Sequence, residues 1–120
     1  MVVDTSVWLE IFFNHPLKKR CLSEIKKETC YIPSLCFYEI FKKLRSKASD
    51  VETMEAISGL TRFPFLVLTP EISLSASDLS LQHQLSMADS IVLAHAVTLG
   101  DTLLTLDNDF DSISQVKIIR

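Results

Sequence analysis

Five short apolar runs constrain this chain more than any other feature. They are Val2-Val3, Thr29 to Ile32, Phe65-Leu66-Val67-Leu68, Asp101 to Leu106 and Val116 to Ile119. Each is too short for a helix, and all but the last pair are separated by segments with helical spacing. Apolar strands alternating with helices predict an α/β fold with a parallel sheet and right-handed crossovers. In such a sheet the carboxyl ends of the strands share one edge, and ligands bind there. The first run ends abruptly in a carboxylate, Asp4, followed by Thr5 and Ser6.

The intervening segments read as follows. Ser6 to Phe13 is a short helix with Trp8, Leu9, Phe12 and Phe13 turned inward, broken by Asn14-His15-Pro16. Residues 17–28 form a basic amphipathic helix with Leu17, Cys21, Leu22 and Ile25 at helical spacing. Pro33-Ser34 opens a helix to about Lys47, with Ser34 at its N-cap and Tyr38, Phe41 and Leu44 on one face. A helix over roughly 50–60 ends at Gly59. Thr69 caps the next, with Pro70 in its first turn and its end near Gln84. Ser86 caps a helix over 87–99 that Gly100 ends. A turn or short helix at Asp107–Ser112 precedes the last strand. The 120 residues form one domain, 1–120, with enough apolar content (48%) for a true core.

Four acids are placed alike by this pattern. Asp4 ends the first strand, Glu39 lies early in the helix after the second, Asp89 in the first turn of the helix before the fourth, and Asp107 ends the fourth. All four therefore belong on one edge. Clustered carboxylates repel, which calls for raised pKa values or a bound cation. Hard divalent ions take oxygen ligands and activate water on phosphodiesters. Each acid alone also fits a structural role. Asp4 or Ser6 can cap a helix, Ser86-x-x-Asp89 is a capping-box-like start, Glu39 can pair with Lys42 or Lys43, and Asp107, Asp109 and Asp111 suit a turn.

Other chemistries find less support. Cys21, Cys30 and Cys36 form no C-x-x-C and read as small buried hydrophobes. His15, His83 and His95 lack ligand spacing, and His95 reads as structural. Trp8 and the seven Phe residues read as core. There is no glycine-rich phosphate loop or G-x-S-x-G. A phosphoacceptor domain would carry D-x-D after the first strand, where this chain has Asp4-Thr5-Ser6. No apolar run reaches the roughly 18 residues of a membrane span, and Asp4 interrupts any signal-peptide start. A soluble, cytoplasmic protein is expected.

Charge is unevenly spread. Residues 18–47 hold nine Lys/Arg against three Glu, a local net of +6, while residues 61–120 hold three against seven, a net of −4. A basic region beside an acidic one fits a phosphate backbone led to a metal site, and also fits solvated helix faces. Lys42, Lys43, Arg45 and Lys47 share a helix with Glu39 and are the candidate RNA contacts.

Four stretches carry a family resemblance. They are Val2-Val3-Asp4-Thr5-Ser6-Val7, Ile32-Pro33-Ser34 with Tyr38-Glu39, Ala88-Asp89-Ser90-Ile91 with Ala94 and Ala96, and Leu104-Thr105-Leu106-Asp107-Asn108-Asp109-Phe110. In this order they resemble the PIN-domain ribonucleases, in particular the VapC-like toxins of type II toxin–antitoxin systems. The resemblance spans essentially the whole chain. It implies a PIN-like fold, with a central parallel sheet of about five strands flanked by helices. It also implies a Mg²⁺- or Mn²⁺-dependent endoribonuclease, with Asp4, Glu39, Asp89 and Asp107 as the acidic quartet. Asp109 would be an additional acid, and Ser6 and Thr105 the supporting hydroxyls. It further implies a homodimer and a small antitoxin partner. The alternatives are a PIN nuclease in RNA processing without an antitoxin, and a catalytically silent RNA- or protein-binding module. Two departures stand out: Gln84-Leu85-Ser86-Met87 lacks a glycine usual before Asp89, and His95 replaces a small residue.

Overall fold

A computed structural model describes all 120 residues. In chain order its elements are β1 (Val2–Val3), α1 (Thr5–Phe12), α2 (Lys18–Ile25), β2 (Ile32–Pro33), α3 (Ser34–Lys47), α4 (Asp50–Leu60), β3 (Phe65–Leu66), α5 (Pro70–His83), α6 (Met87–Leu99), β4 (Leu103–Thr105), a 3₁₀ turn at Asn108–Phe110, and β5 (Val116–Ile118). No helix is long and apolar enough to cross a membrane.

Every strand pairing is parallel. The regular central ladder holds three strands, in the order β1-β4-β5, rather than the five expected. β2 and β3 form a separate two-stranded ladder. One parallel bridge, Val2 with Tyr31, joins the two ladders, through the Val3 N–H donating to the Tyr31 carbonyl at 3.0 Å and the Tyr31 N–H to that of Met1 at 2.9 Å. The spatial order is thus β3-β2-β1-β4-β5. Pro33 has no N–H to give, so β2 cannot extend its ladder. The order reverses direction between β1 and β4, a topological switch point of the kind at which open α/β sheets bind ligands.

Strands β1 and β4 are wholly buried. Val2, Val3, Leu103 and Leu104 join Val7, Trp8, Cys36, Ile40, Leu44, Leu93 and Phe110 in one core. Each fully buried aliphatic side chain contributes about 1.5–3 kcal/mol. α6 is buried from Ser90 to Ala96, so it is a core element and not an amphipathic one. The three cysteines are free and buried, as expected. His95 is also buried, with its Nε2 unpartnered. Burial holds its pKa below the usual imidazole range, so it is a neutral packing residue.

Several local expectations are met. Thr69 caps α5 by accepting the Ile72 N–H, with Pro70 in the first turn, and Ser86 caps α6. Gly100 ends α6 with φ of 63°, a left-handed conformation that glycine adopts without penalty.

Others are corrected. Ser34 is the first residue of α3 and forms no side-chain cap. Gly59 lies inside α4, which continues through Leu60. The buried stripe of α3 is Cys36, Ile40 and Leu44, because the i, i+4, i+8 row faces the core. Tyr38 and Phe41, three residues apart on the neighbouring row, are exposed. The buried residues of α1 are Val7, Trp8 and Ile11. β3 is an edge strand, so Phe65 stands 55% exposed and Val67 and Leu68 beyond it are also open. Not every phenylalanine is therefore core.

Candidate active site

The edge at the carboxyl ends of β1 and β4 collects acids from four elements. Asp4 follows β1 directly. It is the N-cap residue of α1, yet its side chain makes no capping bond. Instead Thr105 Oγ1 donates to Asp4 Oδ2 at 2.7 Å, and Ser6 Oγ donates to the same oxygen at 3.0 Å. The two hydroxyls lie 3.2 Å apart. Each is also locked by backbone: Ser6 Oγ accepts the Leu106 N–H at 3.0 Å, and Thr105 Oγ1 accepts the Asp107 N–H at 3.0 Å. The β1–β4 pairing places these residues together across about a hundred positions of sequence. A strand-end carboxylate is thus held in one rotamer, with no side chain bonded to Oδ1.

Asp4 is only 6% exposed. Burial pushes its carboxyl above the usual range, the Thr105 and Ser6 bonds oppose this, and the charge of Asp107 adds to it. Buried charges need partners, and here the protein supplies hydroxyls but no cation.

The tightest cluster lies beside it. Asp89, Asp107 and Asp109 bring carboxylate oxygens within 4.8 Å of one another. Asp89 sits in the first turn of α6, with Ser86 Oγ accepting its N–H at 3.2 Å. The reciprocal bond that completes a capping box occurs at Ser49 and Glu52 but not here; the Ser86 side chain instead offers the Asp89 carboxylate a hydrogen bond that partly opposes the rise in its pKa. Its pKa is pushed up to about 6, first by burial and then by the charges of Asp4 and Asp107, with Asp109 adding less. Asp107 uses Oδ1 to accept the Asp109 N–H at 2.8 Å. That bond tightens the 3₁₀ turn and brings Asp109 into the group. Asp111 lies outside it and pairs with Arg120.

Glu39 stands apart from this trio. It makes no ion pair with Lys42 or Lys43; its Oε1 accepts a bond from Thr5 Oγ1 at 2.9 Å. Burial raises its pKa, the Thr5 bond counters this, and the charge of Asp4 raises it further. The quartet of Asp4, Glu39, Asp89 and Asp107 thus shares one edge and one electrostatic field. The three acids close enough to share an ion are, however, Asp89, Asp107 and Asp109. Sequence reasoning passed over Thr5, whose partner is 34 residues away and visible only once α1 and α3 are packed.

An all-oxygen set of this kind fits a hard divalent cation. Three carboxylates within 4.8 Å, one of them with a raised pKa, is the electrostatic condition that such an ion relieves. The nearest sulfur does not compete. Cys36 is buried beside Asp4, and burial together with that charge keeps its thiol strongly protonated.

The model of the PIN domain family matches residues 1–116. The chain belongs to the PIN domain family. No curated protein matches this PIN domain in sequence. Solved structures share its fold at low identity. A toxin–antitoxin complex from Klebsiella pneumoniae superposes with a TM-score of 0.85 at 20% identity, covering 97% of this chain and 94% of that one. A Sarcin-Ricin loop cleaving VapC toxin from Mycobacterium tuberculosis gives 0.81 at 17%, over 99% and 98%. VapBC2 from Rickettsia felis, bound to a DNA fragment from its promoter, gives 0.79 at 15%, over 99% and 98%.

Proposed function

We propose that this PIN domain is a divalent-metal-dependent endoribonuclease that hydrolyses RNA phosphodiester bonds and serves as the toxin of a toxin–antitoxin pair. The observation that carries this reading is the Asp89–Asp107–Asp109 cluster beside the hydroxyl-clamped Asp4 at the sheet's switch point. Asp89, Asp107 and Asp109 would hold Mg²⁺ or Mn²⁺, with Asp4 and Glu39 bordering it. When bound, such an ion supplies positive charge for a phosphoryl oxygen and lowers the pKa of water.

The chain's own residues do the rest. Ser6 and Thr105 fix Asp4 through one of its two oxygens. Thr5 orients Glu39 at the rim. At neutral pH Asp89 is mostly ionised, and its proton must leave fully before the oxygen can serve a cation. Lys42, Lys43, Arg45 and Lys47 follow Glu39 along α3. With a rise of about 1.5 Å per residue, Lys43 lies about 6 Å and Lys47 about 12 Å beyond Glu39 along the axis. They offer phosphate contacts that offset the repulsion of the acidic edge.

The toxin reading is supported by the fold's likeness to toxins solved with their antitoxins. A homodimer is supported by the apolar face of α5 and α6, where Leu81 is 79% exposed and Leu74 and Met87 are similarly open. Exposed apolar side chains on neighbouring helices suit a surface that a second copy covers.

The test is cleavage of RNA by the purified chain with and without chelator. EDTA should stop cleavage and added Mg²⁺ or Mn²⁺ should restore it, while Asp4→Asn stays inactive throughout. Undiminished cleavage in excess EDTA would contradict the reading.

A further inference from the structure

Beside the acidic cluster, on the far side of Glu39, lies a cavity of about 490 Å³ with Thr5, Leu9, Tyr38, Glu39, Lys42 and Lys43 among its walls. It opens between α1 and α3, and it meets the catalytic edge through Thr5 and Glu39, the pair joined at 2.9 Å. Tyr38 is 63% exposed. The Lys42 ammonium lies over its ring, 5.7 Å from the centroid. One turn along the same face the pattern repeats, with the Arg45 guanidinium 5.8 Å from the centroid of Phe41. The surface next to Glu39 is therefore made of aromatic rings each paired with a cation four residues on.

We infer that this cavity is a nucleotide subsite in which the ring of Tyr38 stacks on an unpaired RNA base while Lys42 and Lys43 meet the adjoining phosphates; the inference rests on the ribonuclease reading above. Three features favour a nucleotide over a protein segment. The walls offer one ring and Leu9 as apolar surface, too little for the broad apolar face that a docking helix requires. The charge is complementary to phosphate, since α3 carries four basic residues, of which Arg45 also pairs with Asp50, against a single acid, Glu39. Finally, the cavity is continuous with the candidate catalytic edge, so a base seated there places its own phosphate towards Asp4. Aromatic stacking tolerates any base but requires it to be unstacked from its neighbours. Tyr38 would thus select for single-stranded or looped RNA without reading its sequence.

The experiment measures affinity for a labelled single-stranded RNA by fluorescence anisotropy, in an Asp4→Asn background where the RNA stays intact. Adding Tyr38→Ala should weaken binding about tenfold and leave the salt dependence unchanged, because a stacking contact releases no counterions. Tyr38→Phe should bind as the parent does. Lys43→Ala should instead flatten the salt slope by about one. A strand abasic throughout should bind the parent more weakly, and Tyr38→Ala should cause no further loss on that strand. Tyr38 is exposed, so each variant should keep the parent's circular dichroism and melting temperature. Unchanged RNA affinity in Tyr38→Ala overturns the subsite. So does a Tyr38→Ala effect confined to self-association or to binding of a protein partner. If the wild type cleaves RNA while Tyr38→Ala binds normally, only the subsite falls; if the wild type neither binds nor cleaves RNA, the ribonuclease reading falls with it.

Discussion

Asp4 and Asp89 face the same edge of one sheet, but the fold treats their charges differently. Asp4 is buried and held by two hydroxyls on a single oxygen, each hydroxyl itself anchored to backbone N–H groups of the β4 end. Asp89 is half-buried on the first turn of a helix, clamped by no such network, and faces two more carboxylates. Hydrogen bonds from neutral donors set position, whereas they cannot cancel like charges a few ångströms apart. The fold thus provides the geometry of the site from its own residues and leaves its carboxylates facing one another.

Removing the fixed charge should have the largest effect. Asp4→Asn is expected to lower the cleavage rate by at least about 10³-fold, the loss of several kcal/mol of transition-state stabilisation, while keeping the acceptor for Thr105 and Ser6. Asp4→Ala should be equally inactive but also less stable than Asp4→Asn, because it leaves a cavity and orphans buried hydroxyls, at a cost of about 1–3 kcal/mol. Thermal melts of the two variants check this. Equal stability would mean that the hydroxyl network does not position Asp4 as described.

The open charge should show itself in pH dependence. The Asp89 pKa rises from 3.8 in the unfolded chain to about 6 in the folded one. Below the lower value both states are protonated and the site costs nothing. Between the two the folded state binds the extra proton, and above about 6 the full penalty of the ionised cluster is present. Metal-free stability should therefore fall as pH rises from about 4 through 6. The shift from Asp89 is on the order of 1–2 kcal/mol after allowance for solvent screening. Asp89→Asn should flatten that slope. Denaturant melts across this range, in chelator, decide the point; an identical slope in both proteins would place the perturbed proton elsewhere.

A smaller effect is expected at the rim. Thr5→Val removes one hydrogen bond to Glu39, worth about 1 kcal/mol. It should slow cleavage by about tenfold or less and move the acid limb of the pH–rate profile upward, since the Thr5 bond now lowers the Glu39 pKa. An unmoved acid limb would show that Glu39 does not titrate in the reaction.

Much of this was legible in the chain. Asp4 and Asp107 sit where apolar runs stop, and Glu39 and Asp89 sit within the first two turns of helices. Parallel topology alone sends both kinds of position to one edge. The helix ends marked by Thr69, Ser86 and Gly100 were readable for the same reason: their cues act within four residues.

What was not legible depends on packing between elements. Two rows on α3 have helical spacing and share Leu44, and residue size favoured the Tyr38–Phe41 row; only docking against α1 and the sheet shows that Cys36, Ile40 and Leu44 face inward. That misreading hid the exposed rings next to Glu39. That Asp109 joins the tight cluster while Glu39 turns to Thr5 was not readable, because side-chain direction is not a property of spacing. Asp109 is turned into the cluster by the Asp107 bond to its N–H, and Glu39 is drawn to Thr5. The short β2 follows from Pro33, but the openness of β3 is visible only once no strand is found beyond it.

The central claim is that Asp89, Asp107 and Asp109 form a cation site whose charge the protein does not balance. Calorimetric titration of Mn²⁺ into the wild-type chain and Asp89→Asn at pH 7.5 tests it most directly. The wild type should bind Mn²⁺ saturably, and Asp89→Asn should bind at least about tenfold more weakly. Equal affinity in the two proteins, or no binding by the wild type, would contradict it.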